Sequence, residues 1–146
     1  MKLGIFSDVH ANYPALDRVV ALLREEGATQ FFCAGDIVGY GPDPVACIEL
    51  VRSLRAVVVA GNHDRGATGR QPADSFSTLA RTALAWTIGR LGEEELTYLD
   101  LLALVEHSDP IHLVHASPSA PENWEYICTP RETEEEMDAF NLPLCV

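Results

Sequence analysis

The chain has 146 residues, 47% of them apolar, and a mean hydropathy of +0.04, which suits one domain with a buried core. Ten Lys and Arg against 22 Asp and Glu give a net charge of −12, which argues against non-specific binding to nucleic acid or anionic lipid. No stretch approaches the roughly 18 apolar residues of a membrane span, and the first residues reach Asp8 too soon for a secretory signal. Because the four cysteines also lack C-x-x-C spacing, we expect reduced thiols in a cytoplasmic protein.

Apolar strands alternate with amphipathic helices in the first half of the chain. The pattern predicts a strand at 3–6, a helix between the N-cap candidate Asn12 and the stop Gly27, a strand at 31–34, a helix from Pro44 and a strand at 57–59. This order predicts parallel strands joined by right-handed crossovers. The nearly continuous apolar strands predict a sheet that is covered on both faces.

The second half of the chain has a less regular pattern. It predicts a mobile loop at 65–75, helices at 77–88 and 93–99, strands at 102–106 and 111–115, a helix from Thr129 to about 140 and a strand at 142–146. His107 precedes Ser-Asp-Pro and is predicted in a turn. Because side chains alternate along a strand, His112 is predicted to point away from His115.

Residues with metal-binding side chains follow the predicted strands at their carboxyl ends. They are Asp8, His10, Asp36, Asn62, His63, Asp64 and His115. The carboxyl ends of neighbouring parallel strands share one edge of the sheet, so these side chains are expected in one cleft. Each residue alone also fits a turn, a cap or a buried histidine. Carboxylates this close together repel unless divalent cations bind between them.

Four ordered stretches of the sequence together resemble the calcineurin-like metallophosphoesterase superfamily. They are Asp8-Val9-His10, Gly35-Asp36-Ile37-Val38-Gly39-Tyr40-Gly41-Pro42-Asp43-Pro44, Gly61-Asn62-His63-Asp64 and Val114-His115-Ala116-Ser117-Pro118. The second stretch and Trp124-Glu125-Tyr126 look like its small bacterial branch. The resemblance implies an α/β fold over residues 1–146, whose βαβαβ half has parallel strands flanked by helices.

The resemblance also implies a site for two divalent metal ions, Mn, Fe or Zn. Asp8, His10 and Asp36 would hold one ion, and Asp36 would bridge to a second ion held by Asn62 and His115. The implied reaction is hydrolysis of a phosphomonoester or phosphodiester substrate by a hydroxide that bridges the two metals.

Two further residues receive catalytic roles from the same resemblance. His63 would stabilise the transition state or protonate the leaving alkoxide. Asp64 would orient His63 and favour its charged form. The glycines at 39–41 would let the backbone approach the site.

One motif of the family has no counterpart in this sequence. The family's Gly-His-x-His motif gives one histidine to each metal, and the chain reaches Val146 without it. We therefore expect a chain shortened at its C-terminus, with three protein ligands for each metal and without the second sheet of the usual sandwich. The open sheet edge favours self-association into a homo-oligomer.

The missing Gly-His-x-His motif also leaves an alternative function open. The chain would then be a catalytically impaired or non-catalytic metal-binding scaffold of the same fold. A Rossmann-like nucleotide binder is excluded, because the glycine-rich stretch at 39–44 lacks the final glycine of G-x-G-x-x-G and does not lie between a strand and an immediate helix start.

Overall fold

The computed structural model describes residues 2–146, which form six strands and six α-helices. In chain order these are β1 (Lys2–Phe6), α1 (Tyr13–Glu25), β2 (Ala28–Cys33), α2 (Pro44–Ser53), β3 (Val57–Val58), α3 (Asn62–Ala67), α4 (Thr78–Ile88), α5 (Glu93–Leu101), β4 (Val105–Ser108), β5 (Ile111–Val114), α6 (Pro130–Glu136) and β6 (Leu144–Cys145). Single 3₁₀ turns lie at Ala73–Ser75, Pro121–Asn123 and Met137–Ala139. The predicted α/β order of the first half is confirmed.

The first sheet is parallel, as its strand–helix alternation predicts, with the order β1-β2-β3. Its β2 strand shows why both faces must be covered, because successive side chains enter two different cores. Cys33 packs with Leu16 and Ile48 of the helices α1 and α2. Phe32 packs on the opposite face with Leu113 of β5. The sheet therefore lies between a helical layer and a second sheet.

The second sheet consists of β4, β5 and β6, with β4 antiparallel and β6 parallel to the central β5. Its presence corrects the expectation that the second sheet is absent from this chain. Ile111 and Leu113 alternate along β5 and are fully buried against Phe32 and Val59 of the first sheet. A parallel bridge between Val59 and Ala103 joins the two sheets near the end of β3.

The predicted loop at 65–75 is shorter than expected, because regular structure occupies both of its ends. Helix α3 begins at Asn62 and ends at Ala67, and a 3₁₀ turn follows at Ala73–Ser75. The helix forms because the Asp64 carboxylate accepts the Gly61 N–H at 3.0 Å, which satisfies a backbone donor at the helix start. Glycine and polar residues masked this short helix in the sequence pattern.

His107 is not in a turn but in β4, directly opposite His112 of β5. The Nε2 atom of His107 lies 3.0 Å from Nδ1 of His112. In the same region β4 begins at Val105 rather than at 102, and α6 ends at Glu136 rather than near 140. Pairing with β5 fixes the position of β4, and periodicity along a single segment does not report such pairing.

None of the helices within residues 2–146 combines the length and the apolar character that a membrane crossing requires. The cysteines in this part of the chain are free. Burial raises the pKa of both Cys33 and Cys47 to about 12, so these two thiols are held in the protonated, unreactive form.

The packing of the two sheets predicts a large loss of stability for Leu113→Ala. Leu113 is fully buried between the sheets, so its truncation leaves a cavity and should lower the free energy of unfolding by about 2–5 kcal/mol. Leu101→Ala is the matched control, because Leu101 is 78% exposed and its truncation should change stability by less than about 0.5 kcal/mol. Urea denaturation measures both, and equal effects would contradict the inter-sheet core.

Candidate metal centre

The loops that follow β1 and β2 are tied together by backbone hydrogen bonds. The Asp8 N–H donates to the Gly35 carbonyl at 3.1 Å, and the His10 N–H donates to the Asp36 carbonyl at 2.9 Å. These bonds extend the pairing of the two parallel strands beyond their ends. As a result the side chains of Asp8 and His10 lie beside that of Asp36.

The same loops contain residues with left-handed backbone geometry. The non-glycine residues with positive φ in this region are Asp8 (52°), His10 (47°), Ala11 (53°), Asp36 (53°) and Tyr40 (57°). An L-residue adopts this conformation at a cost of roughly 1–2 kcal/mol. Such strain persists where the surrounding structure enforces it, and it concentrates at functional sites.

Asp36 lies at the centre of the cluster and is almost fully buried. Its Oδ1 accepts the backbone N–H of His63 at 2.8 Å. Its Oδ2 lies 3.8 Å from Nε2 of His10 and 3.6 Å from Nε2 of His115. A side chain at Gly61 would overlap the Asp36 carboxylate, so glycine is required there. One carboxylate oxygen therefore faces two imidazoles from different parts of the chain.

Both imidazoles are oriented by backbone carbonyls. Nδ1 of His115 lies 2.6 Å from the Ala34 carbonyl oxygen, and Nδ1 of His10 lies 3.3 Å from that of Val38. Because a carbonyl oxygen only accepts, each Nδ1 must carry the proton. Each Nε2 then turns its lone pair towards Asp36. Metal-binding histidines are commonly held in this tautomer by such partners.

Two sets of donor atoms could each hold a metal ion, and both sets include Asp36. Within each set the atoms lie within 4.8 Å of one another: Asp8, Asp36 and His115 form one, and His10, Asp36 and His63 form the other. Ligands with bonds near 2.1 Å to one ion lie roughly 3.0–3.4 Å apart. The separations of 3.6 and 3.8 Å around Asp36 therefore need only small shifts. Oxygen and nitrogen donors of this kind suit Mn²⁺, Fe or Zn²⁺.

The cluster opens into a cavity of about 490 Å³. Asp8, His10, Asp36, Asn62, His63 and His115 line it, so the structure brings six of the seven candidate residues together. Among the other lining residues, sequence reasoning did not place Tyr40, Gln71, Ser75, Phe76 or Asn123 at the site. Tyr40 lies inside one of the recognised stretches and could have been found, whereas Gln71, Ser75 and Phe76 reach the cavity through the fold of the segment after α3.

His63 lies in this cavity with its ring among other rings. Its centroid is 4.6 Å from that of Tyr40 and 5.0 Å from that of His10. Burial, with the nearby His10 and His115, lowers the pKa of His63 to about 4, so its ring is neutral at neutral pH. A Cβ at Gly39 would lie 2.5 Å from the His63 ring, so Gly39, with φ at +96°, permits this approach.

Asp64, the seventh candidate, is fully buried outside the cavity lining. Its carboxylate accepts the N–H of Val38 at 3.2 Å and that of Gly61 at 3.0 Å. Within residues 2–146 no hydrogen bond joins Asp64 to the His63 ring, which corrects the expected contact between the two side chains. Asp64 instead ties the loop after β2 to the start of α3.

The chain matches the family model described as calcineurin-like phosphoesterase over residues 1–142. It is 38% identical over 129 residues to uncharacterized protein MJ0912 of Methanocaldococcus jannaschii, which covers 86% of this chain and 53% of that protein. It is 30% identical to the symmetrical bis(5'-nucleosyl)-tetraphosphatase of Nitrosococcus oceani, over 95% of this chain and 51% of that protein. The chain thus spans about half the length of these curated relatives.

Solved structures agree with the match to this family. A metallophosphoesterase from Sphaerobacter thermophilus superposes with a TM-score of 0.82 and 43% identity, covering 99% of this chain and 58% of that one. The hypothetical protein PH1004 from Pyrococcus horikoshii OT3 has a TM-score of 0.80 at 24% identity, covering 93% of this chain and 64% of that one, and shows a shared fold.

The buried carboxylates predict how the stability of metal-free protein depends on pH. Burial raises the pKa of Asp36 and of Asp64, so both carboxyls favour protonation in the folded state. Their contribution to stability is complete below the unfolded pKa and is lost as pH rises through the folded one. In chelator, we expect the free energy of unfolding to fall between about pH 6.5 and about pH 8.5. Urea titrations at both values measure this change.

The matched variants for this pH dependence are Asp36→Asn and Asp138→Asn. The first mimics the protonated carboxyl and should flatten the fall, whereas the second removes an exposed carboxylate and should leave the fall intact. The lowered pKa of His63 makes the free energy of unfolding rise with pH, but only below the ordinary histidine pKa of about 6.5. Measurements that start at about pH 6.5 therefore avoid most of this opposite effect. A stability that rises with pH in this interval would contradict the prediction.

Proposed function

This chain belongs to the calcineurin-like phosphoesterase family, and we propose that it hydrolyses phosphate esters with two divalent metal ions at the cavity described above. The ligands we propose are Asp8, His10, Asp36, Asn62 and His115. The observation that carries the proposal is the position of Asp36 Oδ2 between the Nε2 atoms of His10 and His115. Asp36 would then belong to the ligand sets of both ions.

The bound ions would supply Lewis acidity, which neutralises phosphoryl charge and acidifies a water molecule. The protein's own residues prepare the site for them. The carbonyls of Ala34 and Val38 hold His115 and His10 with their lone pairs directed inwards. The Asp36 carboxylate is kept in place by the His63 N–H. These contacts fix the donor atoms before any ligand arrives, which reduces the cost of binding.

We assign His63 a part in the reaction rather than in metal binding. Its neutral imidazole can donate one hydrogen bond to a phosphoryl oxygen or to the leaving oxygen, where negative charge develops. Tyr40 and Phe76 pack against its ring and restrict its orientation. Asp64 acts indirectly, as a positioning residue that holds the start of α3, from which His63 projects.

The names of two relatives support a phosphoester substrate. The Nitrosococcus protein is named a tetraphosphatase, and phosphodiesterase YfcE of Escherichia coli K12 is 40% identical over 42 residues, which cover 29% of this chain and 23% of that protein. Both names describe hydrolysis at phosphorus, and we extend that reaction class to this chain.

Removal of a shared ligand tests the metal site directly. After loading with Mn²⁺ or Zn²⁺ and removal of free metal, we expect about two metal equivalents in the parent. Asp36→Asn should lose both ions, because its carboxylate belongs to both donor sets. His115→Ala should lose at least one ion. His107→Ala is the control, since His107 lies outside the cavity lining, and it should retain both.

Elemental analysis gives the metal content, and hydrolysis of an aryl phosphomonoester and of an aryl phosphodiester gives activity in the same samples. A parent that takes up neither metal would overturn the proposed site. A parent that binds metal in an Asp36-dependent way without any hydrolysis would instead support the alternative of a non-catalytic metal-binding member of this fold.

His63→Ala separates a reacting group from a ligand. If His63 only donates a hydrogen bond in the reaction, the variant should keep the parental metal content while kcat falls by roughly 10²–10⁴-fold. Metal content and kcat are measured on one preparation, with His112→Ala as the control because that histidine is buried under Phe140. Loss of metal in His63→Ala would make His63 a ligand, as the second donor set allows.

A further inference from the structure

The cavity lining includes two aromatic side chains, Trp124 and Tyr126, to which the proposed reaction assigns no part. Tyr126 is 89% exposed, and the ring of Trp124 lies near that of His115. Aromatic rings dominate the binding surfaces of proteins because each offers a large flat apolar area. Grouped exposed rings beside a polar cleft therefore indicate a ligand surface.

Trp124 is held in one orientation. Its indole N–H donates to Oε1 of Gln71 at 2.9 Å, and its backbone adopts a left-handed conformation with φ at 57°. Its ring centroid lies 6.1 Å from that of His115, one of the proposed metal ligands. The indole ring is thus fixed beside a proposed metal ligand, where it can contact the group attached to a bound phosphate. Because the ring is already ordered, binding a ligand costs little conformational entropy.

The charge of the cavity indicates which phosphate esters suit it. The carboxylates of Asp8, Asp36 and Glu125 line it, and within residues 2–146 no Lys or Arg does so. The guanidinium groups of Arg65 and Arg70, which follow His63 along the chain, are bound by Asp100 and by backbone carbonyls. Within the described part of the lining, bound metal would therefore supply the positive charge that meets a substrate.

Two divalent ions would bring four positive charges against the three lining carboxylates and the buried Asp64 carboxylate beside them, which leaves little net positive charge at the site. Such a site suits a phosphodiester, which carries only a single negative charge. A phosphomonoester dianion or a polyphosphate would bring more negative charge than this lining balances, and like charges at close range are unfavourable.

We propose that this cavity selects monoanionic phosphodiesters with a flat aromatic group, whose ring packs on Trp124 and Tyr126. This inference rests on the proposed function, because it places the phosphate of the ester at the proposed metal site. It adds Trp124, Tyr126 and Glu125 as residues that determine specificity, the first two through the ring and the third through charge.

Binding of three inert ligands to Mn²⁺-loaded protein tests the proposal without hydrolysis. Benzyl(methyl)phosphinate is a monoanion with a ring one atom from phosphorus, butyl(methyl)phosphinate has the same charge and no ring, and benzylphosphonate is a dianion at mildly alkaline pH. Calorimetry measures all three affinities. In a Trp86→Phe background Trp124 is the single tryptophan of the chain, so its fluorescence reports directly whether the ring binds there.

We expect the benzyl phosphinate to bind more tightly than the butyl one by roughly 5- to 160-fold, which corresponds to about 1–3 kcal/mol of stacking. Trp124→Leu should abolish this ratio. Trp86→Leu is the matched control, because Trp86 lies on α4 outside the cavity lining, and it should leave the ratio unchanged. Glu125→Gln should narrow the preference for the monoanion over benzylphosphonate, and Glu122→Gln, outside the lining, should not.

The outcomes separate this inference from the function on which it rests. If none of the ligands binds in a metal-dependent way, the proposed function fails and the inference fails with it. If the ligands bind but the ring gives no advantage, or Trp124→Leu and Trp86→Leu behave alike, the aromatic selection is overturned while the metal site stands. Tighter binding of the dianion than of the monoanion would overturn the charge argument.

Discussion

The burial of the Asp36 carboxylate is the constraint around which this molecule is organised. A carboxylate out of water is unfavourable unless its oxygens find donors or cations. One oxygen has a donor in the His63 N–H, and the other faces the lone pairs of His10 and His115. Burial raises the pKa of both Asp36 and the neighbouring Asp64, and a nearby carboxylate, that of Asp8 for Asp36 and that of Asp36 for Asp64, raises it further. Divalent cations would relieve this electrostatic penalty.

The polypeptide bears a conformational cost to hold this arrangement. Asp8, His10 and Asp36 adopt left-handed geometry, and backbone hydrogen bonds between their loops keep them in it. Asp64 contributes by joining the loop after β2 to the start of α3. The strain is therefore balanced by bonds made within the same two loops, so the donor atoms are fixed by backbone and not by the flexibility of long side chains.

Much of this could be predicted from sequence, because the main determinants are local. Apolar runs marked the parallel strands, and residues directly after a strand must lie at its carboxyl end, so Asp8, Asp36 and Asn62 could be assigned to one cleft. The features that sequence reasoning missed depend on contacts between distant segments. The second sheet is held in place by the packing of β5 on β2, and the position of His107 follows from its pairing with His112.

The cavity walls illustrate the same limit at the level of single side chains. The sequence could indicate that Trp124 lies soon after His115, and the structure adds that its indole is bound to Gln71 from a segment predicted as a loop. The predicted contact between Asp64 and the His63 ring was wrong for a related reason. Adjacent residues on a helix point in different directions, so the neighbour of His63 in sequence does not face its ring in space.

His115 connects the site to the stability of the whole fold. It follows β5 of the second sheet, yet its Nδ1 is held by the Ala34 carbonyl at the end of the first sheet. The position of its Nε2 beside Asp36 therefore depends on how the two sheets pack, through buried residues such as Leu113 and Phe32. A change in that core would move a proposed metal ligand without touching the cavity. The core between the sheets is thus part of the apparatus that positions the site.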